Sequence, residues 1–397
     1  MATDGELKNH NMQFFLLDLL RGFAALWVFS LHYEFSESFQ TLWPNLHSFT
    51  QLGDLGVPMF FVISGYCITA SAKSAMRRDL PTRQFVYRRL KRIFPPFWLS
   101  VAFVAGLPFV IEFLSSLKTG VFVAPNATNS NYGFLNYNAT DWFKLVSLTQ
   151  IFWPANELSP LHDRFASINA VYWTLAIEVQ FYLVLAIALK LKPSRFYAAL
   201  ACFTLISIPV AALGWLILSG LCLPFWPMFA LGILLYFMHE RDWTLQSLAP
   251  RKAQSLSVVL TPLIVCAFFI AASYGFRPHL FAFTAAFATW LWIAKPSDNL
   301  LLNLRDHRRT NWLMKPMIAL GAMSYSVYLI HGQLNLLAAQ CVRQILPSDN
   351  SVFDFTVIVA TCLLCWPFYK LCEEPFFKAR QQGNAENTQT PQVALST

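Results

Sequence analysis

Mostly apolar runs of roughly 18–22 residues recur from one end of this chain to the other. A helix of that length matches the hydrocarbon core of a bilayer, and in lipid only helices and closed barrels satisfy their own backbone. The runs lie near residues 14–33, 54–72, 95–117, 169–189, 197–217, 221–238, 255–274, 280–294, 316–338 and 353–371. They predict an all-α integral membrane protein, a bundle of about ten transmembrane helices. Composition agrees: 56% of residues are hydrophobic and 13% charged, with mean hydropathy +0.45. A soluble domain would carry about a quarter charged residues.

Basic residues orient the bundle. Lys8, the clusters at 73–92, 190–195, 241–252 and 295–315, and Lys370, Lys378 and Arg380 all fall on one side. Lys118, Lys144, Arg164, Arg277 and Arg343 fall on the other. The positive-inside rule then places both the N- and C-termini in the cytoplasm. The net charge of +8 follows from this arrangement, so the expected partner is a lipid bilayer and no nucleic acid. The first apolar run is full length and carries charges, which reads as a retained span and not a cleaved signal peptide. The domains expected are a cytoplasmic tail over 1–13, a membrane domain over 14–376 and a disordered cytoplasmic tail over 377–397. Cys362 and Cys365, spaced as a Cys-x-x-Cys pair inside the last run, lack a thioredoxin-like context and read as inert thiols. The outer loop, about 118–168, holds two glycosylation-like triplets at Asn126 and Asn138, a pattern that is frequent by chance.

Within this apolar background the ionisable residues stand out, because a charge in a span is costly and usually faces a cavity or a partner. The first run contains Asp18 and Arg21 and ends at His32. Eleven residues separate Arg21 from His32, three helical turns plus a small rotation, so both fall on one face with a rise of ~16 Å. Asp18 lies three residues before Arg21, on a neighbouring part of that face.

Residues 83–95 read Arg-Gln-Phe-Val-Tyr-Arg-Arg-Leu-Lys-Arg-Ile-Phe-Pro. Arg89 and Arg92 are one turn apart, and Pro95-Pro96 marks the expected start of the third span. Two guanidiniums so placed can grip phosphates through forked hydrogen bonds. Charge alone leaves equal room for an anchor on anionic lipid headgroups. Glu178 lies mid-span with Thr174 one turn away on its face, where a carboxylate needs a partner such as Arg21 or a catalytic task. His331, in the outer half of the ninth run, is a secondary candidate, since bridging between helices explains it as well. The histidines and acids fall in no metal-ligand spacing, so no metal is expected.

Together these motifs resemble the membrane acyltransferase-3 family of integral-membrane sugar O-acyltransferases. The resemblance runs through Arg21-x10-His32, the Gly-x-x-Gly-Val…Phe-Phe-Val-Ile-Ser-Gly segment at 53–65, Arg89-x-x-Arg92-Ile-x-Pro95 and Trp173-Thr-Leu-x-x-Glu178. It closes with Ser-Tyr-Ser-Val-Tyr-Leu-Ile-His at 324–331 and Glu374-Pro375-Phe376. It implies transfer of an acyl group, usually acetyl from acetyl-CoA or another acyl-CoA, to a hydroxyl of an extracytoplasmic or lipid-linked carbohydrate such as O-antigen or exopolysaccharide. The acyl-CoA would be a donor substrate, with no permanently bound cofactor. Arg89 and Arg92 would receive its phosphates, Arg21 would stabilise the donor or a developing negative charge, and His32 would be the general base. Asp18 and Glu178 would orient or balance these cations.

Some relatives in that family carry a further helix and a soluble hydrolase-like domain after the tenth span. This chain is expected to transfer directly to its acceptor or to hand the group to a separate extracytoplasmic protein. The setting expected is a bacterial inner membrane. Two alternatives stay open on the residues: a secondary transporter for protons or small anions, in which the intramembrane charges form a relay, and a non-enzymatic scaffold in polysaccharide assembly.

Overall fold

The computed structural model describes residues 14–122, 124–125, 130–152, 165–213, 220–249, 252–273, 280–307 and 309–376. The expected tails, 1–13 and 377–397, and the Asn126 triplet lie outside these residues, as do Arg164 and Arg277. Among the described residues every regular element is helical. In chain order the main helices are α1 (Phe15–Leu31), α2 (Gly56–Arg77), α3 (Thr82–Thr119), α4 (Trp173–Leu189), α5 (Phe196–Leu213), α6 (Trp226–Glu240), α7 (Ala253–Ser273), α8 (Leu280–Ala294), α9 (Asn311–Ala322), α10 (Ser324–Val342) and α11 (Ser351–Phe368).

Each expected span coincides with one helix except the ninth, which is two, α9 and α10, bent by 76°. Among the described residues four helical stretches are long and apolar enough to cross a membrane: Gly53–Arg77, Thr82–Leu117, Pro193–Ala211 and Ser351–Phe376. The bent pair adds a fifth. The count of ten spans is not reached on length and composition, because α1 and α4 have 17 residues, α6 and α8 have 15, and the apolar stretch of α7 that counts is Ala253–Ile264. At ~1.5 Å per residue such helices fall short of a ~30 Å core. Apolar side chains nevertheless cover the outside: Leu205 and Ile206 of α5, Leu263 of α7, and Val359 and Leu363 of α11 are all exposed. A soluble protein rarely presents so much apolar surface.

The third span departs from expectation at its start. Pro95-Pro96 does not open it; α3 begins at Thr82 and runs 38 residues with Pro95, Pro96 and Pro108 inside. The two prolines deprive the carbonyls of Lys91 and Arg92 of their usual i+4 donors, which membrane helices tolerate when neighbours supply polar partners. Beside them, Tyr325 of α10 donates its hydroxyl to the next carbonyl, that of Ile93, at 3.1 Å. The consequence is local: Arg89 and Arg92 sit on a continuous helix.

Small residues set how the helices cross. A Cβ on Gly65 of α2 would run into the Phe229 carbonyl of α6, and one on Gly232 of α6 would run into the Val62 carbonyl of α2. The two backbones therefore touch, as small-residue packing permits. Around this contact Phe181 of α4 stacks on Phe229 with centroids 4.2 Å apart. Gly321, at the end of α9, meets the Asp18 carbonyl of α1 in the same way. The α9–α10 break thus lies directly against the helix that carries Arg21.

Both ends of α1 are tied down. The Asp298 carboxylate accepts from the amides of Phe15 at 3.1 Å and Leu16 at 2.8 Å. These are the donors a helix N-terminus leaves unpaired, and a carboxylate there also favours the helix dipole. Just beyond the other end, Asp354 of α11 accepts from the Tyr33 hydroxyl at 2.9 Å and the Ser36 hydroxyl at 2.6 Å.

Candidate active site

A cavity of about 80 Å³ opens among α1, α2, α3, α4 and α10. Arg21, Ser64, Arg92, Glu178, Ser324 and Tyr325 contribute its polar wall, and Val57, Phe60 and Phe61 much of its apolar wall. Three of the expected site residues therefore meet here, from three helices widely separated in sequence. Volume for a single water needs only about 10–15 Å³, so the space admits a small polar group.

Glu178 is held from two sides. Its Oε1 accepts from the Tyr182 hydroxyl at 2.6 Å, one turn further along α4, and from the Ser64 hydroxyl of α2 at 3.3 Å. Thr174, expected on the same face, lines the cavity, and its hydroxyl pairs with that of Tyr328 at 2.8 Å. Arg21 keeps only 18% of its side chain exposed and lies 3.7 Å from Asp18. Asp18 itself is 64% exposed and is not part of the cavity wall, so it meets Arg21 from outside.

The arginine pair divides. Arg92 faces the cavity, whereas Arg89 is buried and stacks over the Phe85 ring, 5.8 Å from its centroid. Opposite Arg92, the break between α9 and α10 presents Ser324 and Tyr325, the first residues of α10, to the same space. An interrupted helix inside a membrane protein is tolerated where it lines a cavity, and its N-terminus carries positive potential.

The sequence reading did not identify Glu373. After Pro367 the last helix widens into a π-helical turn over Tyr369–Glu373. That turn rotates Glu373 inward, to 2% exposure. Its Oε2 accepts from the Ser326 amide at 3.0 Å and the Ser326 hydroxyl at 2.5 Å. Glu373 thus occupies the anion position at the N-terminus of α10, within the electrostatic reach of Arg92 and Arg21. π-bulges gather at functional sites. Its neighbour Glu374, the residue quoted in the closing motif, instead pairs with Lys370 at 2.9 Å. The available signal was an acid directly after an apolar run, and the expected span ended two residues too early to include it.

His32 stands apart from the cavity. It caps the C-terminus of α1, is exposed, and has its ring 5.4 Å from that of His331 on α10. His32 Nδ1 donates to the Val28 carbonyl at 2.8 Å. A carbonyl only accepts, so Nδ1 carries the proton and in the neutral ring Nε2 keeps its lone pair. His331 repeats the arrangement, donating from Nδ1 to the carbonyls of Val327 at 2.9 Å and Tyr328 at 3.0 Å. Tyr328 lines the cavity on one side of α10 while its carbonyl meets His331. The secondary histidine of the sequence reading is therefore the immediate neighbour of the first.

Arginines with hydroxyls and a helix N-terminus can stabilise a developing oxyanion. A neutral imidazole presenting Nε2 can remove a proton from a hydroxyl. Among the described residues no group of three or more His, Cys, Asp or Glu is arranged to hold a metal ion.

The profile of the acyltransferase-3 family, described as an acyltransferase domain, matches residues 15–370. OatA of Staphylococcus aureus (strain NCTC 8325 / PS 47), an O-acetyltransferase by name, is 25% identical over 91% of this chain and 57% of its own length. YrhL of Bacillus subtilis (strain 168), provisionally named a peptidoglycan O-acetyltransferase, is 26% identical over 92% of this chain and 55% of its own. BcsY of Komagataeibacter xylinus, provisionally named a membrane-bound transacylase, is 26% identical over 70% of this chain and 65% of its own. The chain spans a little over half to about two thirds of the length of these relatives. No solved structure matches it.

Proposed function

The chain belongs to the acyltransferase-3 family, and on that premise we propose that it is a transmembrane O-acyltransferase. It takes an acyl group, acetyl in the first instance, from cytoplasmic acyl-CoA and passes it to a hydroxyl of an extracytoplasmic or lipid-linked carbohydrate. The name of YrhL makes peptidoglycan the acceptor class to try first. In this reading the helices form a ten-pass bundle in a bacterial inner membrane with both termini cytoplasmic, acting alone or with a separate extracytoplasmic transfer protein.

The observation that carries the proposal is the division of labour along α1. Arg21 points into a cavity shared with Arg92 and Glu178, and His32 at the far end presents Nε2. Arg92, with Arg89 behind it, holds the donor's phosphates. Arg21, ~16 Å of helix rise from His32, stabilises the bound donor inside the cavity while the acceptor oxygen adds to the thioester carbonyl beside His32. His32 Nε2 takes the hydroxyl proton. The C–O bond forms, the C–S bond breaks, and the proton ends on the departing coenzyme A thiolate. Glu178, fixed by Tyr182 and Ser64, balances the arginines inside the cavity, and Asp18 does so from its edge.

Acetyl-CoA binding to the purified protein tests this. Loss in Arg89→Ala/Arg92→Ala with retention in His32→Ala, whose acetyl transfer is abolished, is the expected result. Absence of binding in folded wild type would remove acyl-CoA as donor. The 76° break between α9 and α10 gives one alternative some support, a secondary transporter for protons or small anions, since broken helices build transporter sites. Flux into liposomes without any acyl donor would favour that alternative.

A further inference from the structure

The function proposed above uses one histidine, yet the structure presents two. His32 and His331 come from different helices and sit with ring centroids 5.4 Å apart, tilted by 50°. Each spends Nδ1 on carbonyls of its own helix, Val28 for His32 and Val327 and Tyr328 for His331. Both rings are thereby fixed in the same tautomer, and both present Nε2 as an acceptor. Their settings differ: His32 is exposed, His331 is 2% exposed and wedged against Phe29 at 5.4 Å.

Two neighbouring acceptors without a donor between them do not satisfy each other. They call for a ligand that brings two donors on adjacent atoms. A single alcohol brings one; adjacent ring hydroxyls of a carbohydrate bring two, in fixed relative geometry. If His331 served only to brace α10, Nδ1 would suffice and the approach of its ring to His32 would be incidental.

We propose that His32 and His331 form a two-acceptor cradle for two adjacent hydroxyls of the acceptor sugar, with His331 determining which hydroxyl is acylated. This rests on the acyltransferase reading. The hydroxyl on His32 Nε2 is the one deprotonated and acylated, as above. Its neighbour donates to His331 Nε2 and stays intact, so the sugar enters in one register. His331 touches substrate but moves no proton in the balanced reaction.

Two amide substitutions separate the ring's two nitrogens. Asn in His331→Asn can keep the donor to the Val327 carbonyl and has nothing at the Nε2 position. Gln in His331→Gln places an amide oxygen near Nε2 and gives up the Nδ1 contact. The full chain in lipid nanodiscs is supplied with acetyl-CoA and methyl α-D-glucopyranoside, or with its 3-deoxy analogue, which has no adjacent hydroxyl pair. Rates and the position of the acetyl group are read by NMR, and acetyl-CoA binding is measured separately.

Wild type is expected to acetylate the glucoside at one position and to prefer it to the deoxy analogue by about tenfold, the worth of one hydrogen bond. His331→Asn is expected to lose that preference and to give mixed positions while binding acetyl-CoA normally. His331→Gln is expected to recover part of both. The proposal is overturned if His331→Asn matches wild type, if His331→Gln is the worse of the two, or if wild type binds acetyl-CoA yet does not distinguish the two glycosides. Failure of wild type to bind acetyl-CoA at all would instead strike the acyltransferase reading and take this proposal with it.

Discussion

Replacing Glu373 by alanine removes the carboxylate that accepts from both the amide and the hydroxyl of Ser326, in a place water does not reach. The carboxylate is 2% exposed and the bonds are 3.0 Å and 2.5 Å long. Hydrogen bonds to a charged group contribute about 1.5–3 kcal/mol each, and this carboxylate accepts both of Ser326's. Glu373→Ala is therefore expected to destabilise the fold by about 3–5 kcal/mol. Glu373→Gln, which keeps an acceptor oxygen, should cost about 1–2 kcal/mol. In detergent the alanine variant should melt about 4–6 °C below wild type, with the glutamine variant between them. The same change frees the start of α10, where Ser324 and Tyr325 wall the cavity, so acetyl-CoA binding should weaken in the same order. An alanine variant that melts with wild type, or a glutamine variant as low as alanine, would refute the capping role.

Three further outcomes follow from the geometry. Arg92→Lys is expected to bind acetyl-CoA at least about tenfold more weakly in a direct titration, because a lysine cannot form the guanidinium's forked contacts; full binding would place the donor elsewhere. Asp354→Ala releases the Tyr33 and Ser36 hydroxyls and should lower transfer while leaving donor binding intact, which a paired rate and binding measurement checks. Gly232→Leu forces a side chain into the Val62 carbonyl and should abolish the monodisperse peak in size-exclusion chromatography, whereas Gly106→Ala, with open space around it, should leave that peak unchanged.

Much of this arrangement was legible in the residues. The apolar runs located the helices because hydrophobic length is a strong signal. The charges inside them located Arg21 and Glu178, because lipid leaves few reasons for a charge to be there, and the one-turn spacing of two arginines ahead of the third run singled out Arg92. Where the reading fell short, the cause was a backbone event with no compositional mark. A proline pair reads as a helix start, yet α3 carries Pro95-Pro96 well inside. The 76° break at Met323 sits in an apolar run with no proline at the bend. The π turn that brings Glu373 inward depends on how α11 ends against α10. Asp354, in the first turn of α11, has nothing in its own stretch of sequence to mark it, because its partners lie 318 and 321 residues away. The pairing of His32 with His331 was likewise a matter of tertiary packing, which spacing along one helix does not encode.

The anchoring of α1 has a consequence for reach. Asp298 fastens its first amides and Asp354 fastens the residues just past its end. A rod secured at both ends cannot slide to carry a group from one bilayer depth to another. Its length, with ~16 Å of rise between Arg21 and His32, then works as a ruler against which any donor is measured. For the acyl-CoA donor proposed above, a carrier arm that is too short would leave its thioester below the imidazole, however well its phosphates were held. On the proposed function the flexible thread of a coenzyme would supply the travel between these two fixed stations.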